Sequence, residues 1–465
     1  MQFHKILHPL QCVFADRAAA ARGGRRLLRA GEGRLQAAIT DHGDDVFHLA
    51  LRDRRWGPNP SQAGIAPWRG GKSRCRLTLD RRAGLTLKDA AGTALLAPGP
   101  LGSVGVHDCG WMLEFAYDPA LRFYGMGEKC GRLEKTGTRT RFYTTDVWAD
   151  FAWGAIEQAK TDPMYVSIPY VILQCGTAWV GLLLDNPYAG FACTGAKFGF
   201  QSTPAEAKAR TRFYVGSDDG APDVWVLVAD SLADLTRKHQ RLVGTTPLPP
   251  LWALGHHQCR WGYRGRDDLN ALDRSFRTHG VPTDGLWLDI DYMDGYRVFT
   301  WSKQHFRDVK RELADLAARG RRVVPILDPG VKDDPAWKVR NDGLERDVFC
   351  RTAEGRPYIG FVWPGETLFP DFSRPDVSAW WADHVARFAK QGAAGAWVDM
   401  NDPAVGPVAL DGMRFDHGRL PHEAFHSQYG LGMARATRAG FLKARPQQRP
   451  FVLSRSGFIG QARHS

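Results

Sequence analysis

The segment Gly395-Ala-Trp-Val-Asp-Met-Asn-Asp-Pro403 places a carboxylate at the end of a short apolar run. Such a run, followed by a turn over Asn-Asp-Pro, predicts a strand that ends in an active-site loop. Because residues two apart on a strand share a face, Trp397 and Asp399 point one way and Val398 and Met400 the other. An aromatic ring beside a carboxylate suits a sugar. The alternative, that Asp399 only caps the loop, stays open on these residues alone.

Length and composition indicate a globular protein of two or three domains, since the chain has 465 residues, 43% of them apolar and 11% aromatic. The formal charge of +12 comes from scattered arginines without helix-turn-helix or zinc-finger spacing, so we expect no nucleic-acid partner. The eight cysteines stand singly and predict reduced thiols rather than a zinc site or a redox dithiol. We expect no metal and no organic cofactor.

The N-terminus does not match a secretory signal, because His8, Pro9 and Gln11 interrupt its apolar stretch. No apolar run approaches the length of a membrane-spanning helix. We therefore expect a cytoplasmic protein without a membrane partner. A homo-oligomer is left open.

Two regions of the chain differ in the spacing of their apolar residues. Residues 1–230 predict an N-terminal β-sandwich domain, because short alternating runs are separated by turn residues. Residues 231–250 hold the end of a helix expected over 224–242 and then a Pro-rich linker. The alternating runs are Arg76-Leu-Thr-Leu79, Gly84-Leu-Thr-Leu-Lys88, Trp111-Met-Leu-Glu-Phe-Ala-Tyr117, Tyr170-Val-Ile-Leu173 and Trp179-Val-Gly-Leu-Leu-Leu184.

Residues 251–465 alternate buried strands with amphipathic helices, which predicts the parallel sheet of a (β/α)₈ TIM barrel. Five strands are fewer than a closed barrel needs, and the region is shorter than the about 250 residues of a typical one. We therefore expect an incomplete barrel with about five of eight β/α units. The strands are expected at 252–255, 285–290, 322–327, 395–398 and 450–453, with helices such as 305–319 and 377–390 between them.

Nine short segments spread over the chain carry a recognisable pattern. They are Phe123-Tyr-Gly-Met-Gly-Glu-Lys129, Thr145-Asp146, Thr161-Asp-Pro-Met164, Leu184-Asp-Asn-Pro187, Leu286-Trp-Leu-Asp-Ile-Asp-Tyr-Met293, Val362-Trp-Pro-Gly365, Phe369-Pro-Asp-Phe372, Trp397-Val-Asp-Met-Asn401 and Ser454-Arg-Ser456. In this order they resemble glycoside hydrolase family 31, the retaining α-glucosidases and their relatives. The resemblance implies exo-acting hydrolysis of an α-linked oligosaccharide or glucoside through a covalent glycosyl-enzyme intermediate.

The resemblance implies that Asp399 is the nucleophile. A retaining mechanism needs one ionised carboxylate about 5 Å from a protonated one. Arg455 is expected to keep the pKa of Asp399 low and to hold a sugar hydroxyl, with a structural ion pair as the alternative. Met400 follows the nucleophile in the same segment and is expected to line the substrate site.

Asp289, with Ile290 alongside it, matches the family carboxylate that grips hydroxyls of the non-reducing sugar. A regular strand would turn Asp289 and Asp291 inward and Ile290 outward, which conflicts with a ligand-facing Ile290. Either the strand twists at its exit or Ile290 only packs. Trp363 and Trp397 resemble the aromatic walls of the first subsite, with core packing as the alternative.

Asp146 lies in the N-terminal domain but resembles a position on a family loop that reaches over the barrel mouth. A helix cap or a turn would explain it equally well.

Three departures from the family pattern bear on activity. Asp402 stands where the family usually has Glu, and Gly406 stands where it often has an aromatic residue. The general acid/base is expected in a Trp-x-Gly-Asp segment that would follow Arg455, and the chain ends before one. Asp402 is the remaining catalytic candidate for proton donation, and we expect the chain alone to be inactive or nearly so.

Two alternatives accompany this reading of the sequence. The first is a truncated or degenerate paralogue that binds sugar without cleaving it. The second keeps the fold but acts on an α-xyloside, an α-galactoside or a sulfonated sugar.

Overall fold

The structure of the protein is a computed structural model that describes residues 6–147, 162–196, 211–406 and 408–465. The chain forms two compact units, Met1–Thr245 and Thr246–Ser465. Within the described ranges, no helix is long and apolar enough to cross a membrane. All eight cysteines are described and none forms a disulfide, as the sequence predicts.

The first unit is built on a thirteen-stranded antiparallel sheet in the order β10-β12-β13-β16-β4-β3-β2-β1-β8-β9-β15-β14-β11, beside a small sheet of β5, β6 and β7. The strands are β1 Val13–Ala20, β2 Arg26–Ala30, β3 Gly33–Asp41, β4 Val46–Arg52, β5 Arg76–Leu79, β6 Leu85–Lys88, β7 Ala94–Leu96, β8 Val104–His107, β9 Gly110–Phe115, β10 Arg122–Gly125, β11 Arg139–Phe142, β12 Tyr170–Cys175, β13 Ala178–Leu184, β14 Gly190–Thr194, β15 Phe213–Ser217 and β16 Asp223–Ala229. All five alternating runs found in the sequence are strands.

Strand β1 connects the two layers of this large sheet. Val13 and Phe14 pair with β8, whereas the strand pairs with β2 from Ala15 onward, with an irregularity between Ala15 and Arg17. Apolar side chains from both layers meet in one buried core. The unit is therefore the two-layered antiparallel architecture that the alternating runs predict.

The helix expected over 224–242 is two different elements, so this prediction is wrong in its first part. Residues 223–229 form β16, whose seven residues are all buried. Helix α1, Leu232–Val243, begins after Ser231, whose Oγ accepts the backbone N–H of Asp234 at 3.1 Å. Helix α1 packs against β16, and a strand covered on both faces loses the polar alternation that would reveal it.

The second unit centres on a five-stranded parallel sheet in the order β17-β18-β19-β23-β24, beside a three-stranded antiparallel sheet in the order β20-β22-β21. The strands are β17 His257–Gln258, β18 Gly285–Leu288, β19 Arg322–Leu327, β20 Val331–Lys332, β21 Ile359–Val362, β22 Gly365–Leu368, β23 Ala396–Val398 and β24 Val452–Ser454. The helices are α2 Arg266–Thr278, α3 Val309–Ala318, α4 Lys338–Glu345, α5 Pro375–Ala389 and α6 Tyr429–Ala444.

Helices α5 and α6 pack closely beside the strands. A Cβ atom on Gly440 would lie 2.5 Å from the Cβ of Val385, so the close approach of the two helices requires glycine there. Trp381, which is fully buried, donates its indole N–H to Thr437 Oγ1 at 2.9 Å. These contacts fix the helical layer against which β23 and β24 lie.

Two predicted strands of this unit differ from the structure. Leu251–Leu254 form a 3₁₀ turn rather than a strand, and the first strand is the two-residue β17. The apolar run misled the prediction because it does not enter the core: Leu254 is 69% exposed, and Trp252 and Ala253 are only partly buried. The second strand ends at Leu288, two residues before its predicted end, because the chain turns into a 3₁₀ helix at Ile290–Tyr292.

Buried histidines predict how stability depends on pH. His384 in α5 stacks on Phe299 with ring centroids 5.4 Å apart, and its Nδ1 accepts from Arg387 Nη2 at 2.8 Å. Burial, reinforced by Arg387, lowers the pKa of His384 to about 4, and the carboxylate of Asp342, 3.7 Å away, offsets this only in part. Between pH 4 and 6.5 the unfolded chain therefore binds more protons than the folded one, and stability rises with pH.

We expect His384→Gln to flatten the dependence of the unfolding free energy on pH in that window, by up to about 1.4 kcal/mol for each pH unit. Urea unfolding at pH 4.5, 5.5 and 6.5 measures it. His279→Gln, at the exposed end of α2, is the matched control. An unchanged slope in His384→Gln would contradict the prediction.

Candidate active site

Four of the five parallel strands are followed at once by a charged residue. Asp289 follows β18, Asp328 follows β19, Asp399 follows β23 and Arg455 follows β24. The pairings of Leu327 with Val398 and of Val398 with Ser454 bring successive strand ends to the same edge of the sheet. Three carboxylates and one guanidinium are thereby gathered at the carboxyl edge, where α/β proteins place their ligand sites.

An ion pair joins the last two strands at this edge. Arg455 Nε lies 3.2 Å from Asp399 Oδ1, and the exposed fraction of either side chain is below one fifth. The backbone holds both residues in place, because Asp399 N donates to Leu327 O at 3.2 Å and Arg455 N donates to Val398 O at 3.0 Å. Met400 then turns the chain away with φ 53°, and its Sδ lies 3.4 Å from Arg455 Nη1.

The pKa of Asp399 is raised to about 6, chiefly because the carboxyl group is buried. Arg455 lowers this pKa, whereas the negative charges of Asp402 and Asp289 raise it further. The expectation that Arg455 keeps the pKa of Asp399 low is therefore wrong for the net value, since burial outweighs the ion pair. Asp399 still loses its proton below neutral pH, as a nucleophile must.

Asp328 is a site residue that the sequence reasoning missed. It is 4% exposed, and within the described part of the chain its Oδ1 has no hydrogen-bond partner. Burial and the neighbouring charge of Asp399 raise its pKa well above the usual range of a carboxyl group. The available signal was the one that marked Asp399, an apolar strand that ends in Asp shortly before a proline: Pro329 follows Asp328 directly, and Pro403 follows Asp399 by four residues. A buried carboxyl oxygen without a partner is suited to a ligand hydroxyl.

Asp289 and Ile290 do not follow strand alternation. Strand β18 has already ended, and Asp289 caps the 3₁₀ helix by accepting the N–H of Ile290 at 2.7 Å. Ile290 is 4% exposed and belongs to the hydrophobic core, while Asp291 accepts the hydroxyl of Tyr296 at 3.3 Å. The conflict between Asp289 and Ile290 therefore disappears, because the premise of a regular strand was wrong.

The two tryptophans differ in their surroundings. Trp363, between β21 and β22, is 50% exposed, and its ring centroid lies 6.0 Å from that of Trp261, itself 63% exposed. Trp397 is half-buried, with its ring centroid 6.1 Å from that of Trp287. Core packing thus accounts for part of Trp397 but not for Trp363. Trp261, in the loop after β17, is a second residue that the sequence reasoning did not single out.

The loop after β23 is tied to the residues after β24. Asn401, fully buried, donates from Nδ2 to Ser454 Oγ at 2.9 Å and accepts the N–H of Ser456 at 3.1 Å. Asp402 is 1% exposed and accepts from Arg455 Nη2 and from Ser456 Oγ. Proton donation by Asp402 stays a prediction, although both of its oxygens already accept hydrogen bonds from the protein.

The remaining sequence candidates lie elsewhere. Asp146 belongs to the first unit, where it is half-buried after β11, and its role over a substrate stays a prediction. Thr161 of the segment Thr161-Asp-Pro-Met164 is outside the described residues. Gly406 is exposed, and its N–H donates to Phe361 O at 2.6 Å. Among the described residues, no group of three or more His, Cys, Asp or Glu side chains is placed to hold a metal ion.

Two sequence profiles match the chain, and both describe one family. "Glycosyl hydrolases family 31 TIM-barrel domain" matches residues 246–465, and "Glycosyl hydrolase 31 N-terminal galactose mutarotase-like domain" matches residues 71–191. These matches give the second unit a TIM-barrel domain and the first unit the N-terminal domain of that family.

Curated relatives are named as α-glucosidases. Alpha-glucosidase 2 of Bacillus thermoamyloliquefaciens is 35% identical over 382 residues, which cover 81% of this chain and 46% of the relative. Neutral alpha-glucosidase AB of Sus scrofa is 37% identical over 374 residues, or 76% of this chain and 39% of the relative. The chain thus spans less than half the length of these two relatives.

Solved structures share the fold. A Flavobacterium johnsoniae GH31 dextranase complexed with glucose superposes with a TM-score of 0.83 at 19% identity, over 98% of this chain and 56% of that one. The ER glucosidase II complex of a catalytic subunit with the binding domain of its regulatory subunit gives a TM-score of 0.81 at 22% identity, over 98% and 58%.

The loop contacts of Asn401 predict a measurable loss of stability. Asn401→Ala removes two hydrogen bonds and leaves buried partners unsatisfied, so we expect the free energy of unfolding to fall by about 1–3 kcal/mol. Chemical unfolding of the purified chain measures this loss. Asn341→Ala also removes two hydrogen bonds, one donated to Pro335 O and one accepted from Arg340 Nη1, but at an exposed position, so it is the control and should change stability little. Equal stability of the two variants would contradict the tie between the loops.

Proposed function

The chain belongs to glycoside hydrolase family 31, and we propose that its site serves the retaining, exo-acting hydrolysis of α-glucosides through a covalent intermediate on Asp399. The observation that carries this proposal is the buried carboxylate of Asp399 at a strand end, with one oxygen 3.2 Å from Arg455 Nε. The α-glucosidase names of relatives at 35% and 37% identity support the substrate class.

The first chemical step uses the free oxygen of Asp399. That oxygen forms a bond to the anomeric carbon while the bond to the leaving oxygen breaks, and the leaving oxygen takes a proton from a general acid. Water then attacks the anomeric carbon of the ester and gives a proton to the conjugate base of that general acid, which releases the sugar and restores both the carboxylate and the acid. Arg455 neutralises the other oxygen, so that the carboxylate is ionised at neutral pH although it is buried.

Neighbouring groups provide the sugar contacts. We assign the hydroxyls of the non-reducing sugar to Asp289 and to Asp328 Oδ1, which has no hydrogen-bond partner within the described residues, since a carboxyl oxygen accepts a hydrogen bond from a hydroxyl. The exposed ring of Trp363 offers an apolar wall to a sugar face. Ile290 and Met400 act by packing and by turning the chain, and Asp146 stays a candidate from the first unit.

The mechanism also needs a proton donor, and these residues include no clear candidate for one. The 465 residues contain no Trp-x-Gly-Asp segment, and the oxygens of Asp402 are engaged. General acid catalysis contributes typically 10² to 10⁴ in rate. We therefore propose that the chain alone, with about five of eight β/α units, cleaves natural glucosides very slowly or not at all.

Two finer alternatives remain proposals. A non-catalytic sugar-binding role is favoured by the engagement of both Asp402 oxygens, because binding needs Asp289 and Trp363 but no proton donor. A different α-glycoside, such as a xyloside, a galactoside or a sulfonated sugar, would use the same nucleophile. The cytoplasmic location and the oligomeric state stay predictions.

An activated substrate tests the nucleophile without a general acid. Fluoride leaves as an anion and needs no proton, and a second fluorine on the sugar ring slows the later attack of water. We expect such a fluorinated α-glucosyl fluoride to label the chain covalently, with one sugar added and fluoride released, and the labelled peptide to contain Asp399. Mass spectrometry of the intact chain and of its peptides measures this.

The matched variants for that experiment are Asp399→Asn and Asp315→Asn. The first removes the nucleophile and should abolish labelling, whereas the second changes an exposed carboxylate of α3 and should not affect it. Labelling of Asp399→Asn at the wild-type rate would refute the nucleophile assignment. Labelling by the xylosyl or galactosyl reagent alone would move the proposal to that sugar.

Sugar binding is tested separately by calorimetric titration of maltose. We expect binding by the wild-type chain and a loss of roughly tenfold or more in affinity for Asp289→Asn, because a charge-assisted hydrogen bond is removed. Trp363→Ala should weaken binding without lowering the melting temperature, since half of that side chain is already exposed. Asp315→Asn serves again as the control, and a flat wild-type titration would count against both functions.

A further inference from the structure

Asp402 meets the rest of the protein through both carboxylate oxygens. Oδ2 accepts from Arg455 Nη2, and Oδ1 accepts from Ser456 Oγ. The side chain is 1% exposed. A carboxylate held in this way influences the site through Arg455 rather than by touching a sugar.

Each nitrogen of the Arg455 guanidinium lies near another group of the site. Nη2 donates to Asp402, Nη1 lies 3.4 Å from Met400 Sδ, and Nε lies 3.2 Å from Asp399 Oδ1. A guanidinium group prefers to pair with one carboxylate through two parallel hydrogen bonds. Here two carboxylates compete for it, so a further contact must fix how it is shared.

Ser456 supplies that contact. Its hydroxyl donates to Oδ1 of Asp402, while the guanidinium donates to Oδ2. Its backbone N–H is held in turn by Asn401 Oδ1 at 3.1 Å. We infer that Ser456 and Asp402 form a positioning pair that holds Nη2 of Arg455 and thereby sets the 3.2 Å separation between its Nε and Asp399 Oδ1. The inference rests on the proposed role of Asp399 and extends it to two residues that need not touch the substrate.

The pair has consequences of opposite sign for Asp399. Asp402→Asn removes a negative charge that raises the pKa of Asp399 and frees Arg455 to pair with Asp399 through two nitrogens, so that pKa falls below about 6. Ser456→Ala keeps the charge of Asp402 but lets both of its oxygens turn to Arg455, which draws the guanidinium from Asp399 and raises the pKa. The groups that act on Asp399 in the site are Asp289, Asp328, Asp402, Arg455 and the thiol of Cys259.

The test measures the titration of Asp399 directly. NMR of isotope-labelled aspartate carboxyl carbons gives the pKa of each aspartate, and the signal lost in Asp399→Asn identifies Asp399. We expect Asp402→Asn to lower its pKa by roughly one unit and Ser456→Ala to raise it by a smaller amount. Asp402→Glu keeps the charge and should restore a value nearer to that of the wild type than Asp402→Asn does.

Asp273→Asn is the matched control. Asp273 is fully buried in α2 and paired with Arg321 at 3.0 Å, so its loss costs stability in the same way but should leave the pKa of Asp399 unchanged. Shifts of the same sign in Asp402→Asn and Ser456→Ala, or an equal shift in Asp273→Asn, would overturn the inference. If Asp402→Asn does not fold, the sign of the shift in Ser456→Ala decides.

The fluorosugar reaction separates this inference from the proposed function. In a wild-type chain that is labelled, the acidic limb of the labelling rate should move with the pKa in each variant. A chain that is never labelled but shows the two opposite NMR shifts refutes the nucleophile role and retains the positioning pair. A chain that is labelled but does not show the two opposite NMR shifts retains the nucleophile role and refutes the positioning pair.

Discussion

The ion pair between Arg455 and Asp399 is the interaction on which the site depends. It joins neighbouring parallel strands at the point where both end, and each partner is also held through its own backbone N–H. Burial of a carboxylate is unfavourable unless a positive charge accompanies it. The same burial raises the pKa of Asp399 to about 6, so the group is still ionised at neutral pH but is more basic than a fully paired carboxylate would be. The geometry of the sheet edge thus controls the electrostatics of the group that we propose as nucleophile.

The loops around this ion pair are connected to one another rather than to solvent. Asn401, Asp402, Ser454 and Ser456 form hydrogen bonds across the two strand ends, and all but Ser454 are almost completely buried. Such a network holds a charged group in a defined orientation because every alternative leaves a buried polar atom without a partner. The sugar-facing groups differ from these, since Trp363 is half exposed and one oxygen of Asp328 has no hydrogen-bond partner among the described residues. A binding site requires both: supporting residues that are held in fixed positions, and ligand-facing groups that remain accessible.

Much of this arrangement was predictable because it depends on local pattern. The alternating runs of the first unit became strands with nearly the expected bounds, and Asp399 and Arg455 follow strands as expected. Three elements failed for identifiable reasons. Strand β16 is buried on both faces and so lacks alternation. The run 252–255 is apolar but lies outside the core, and the chain leaves strand geometry at Asp289, where a 3₁₀ helix begins. In each case the neighbours of the segment, not its own residues, decided the outcome.

By itself the sequence determined the two-part organisation, the family and the carboxylates at the strand ends, because periodicity and ordered motifs are properties of the chain alone. The tertiary structure decided which of these groups meet and in what state. Asp328 became a site residue because parallel pairing carries β19 beside β23, and Asp402 became a partner of Arg455 because the same pairing carries β23 beside β24. The net pKa of Asp399 was decided by burial, which arises only when the surrounding chain excludes water.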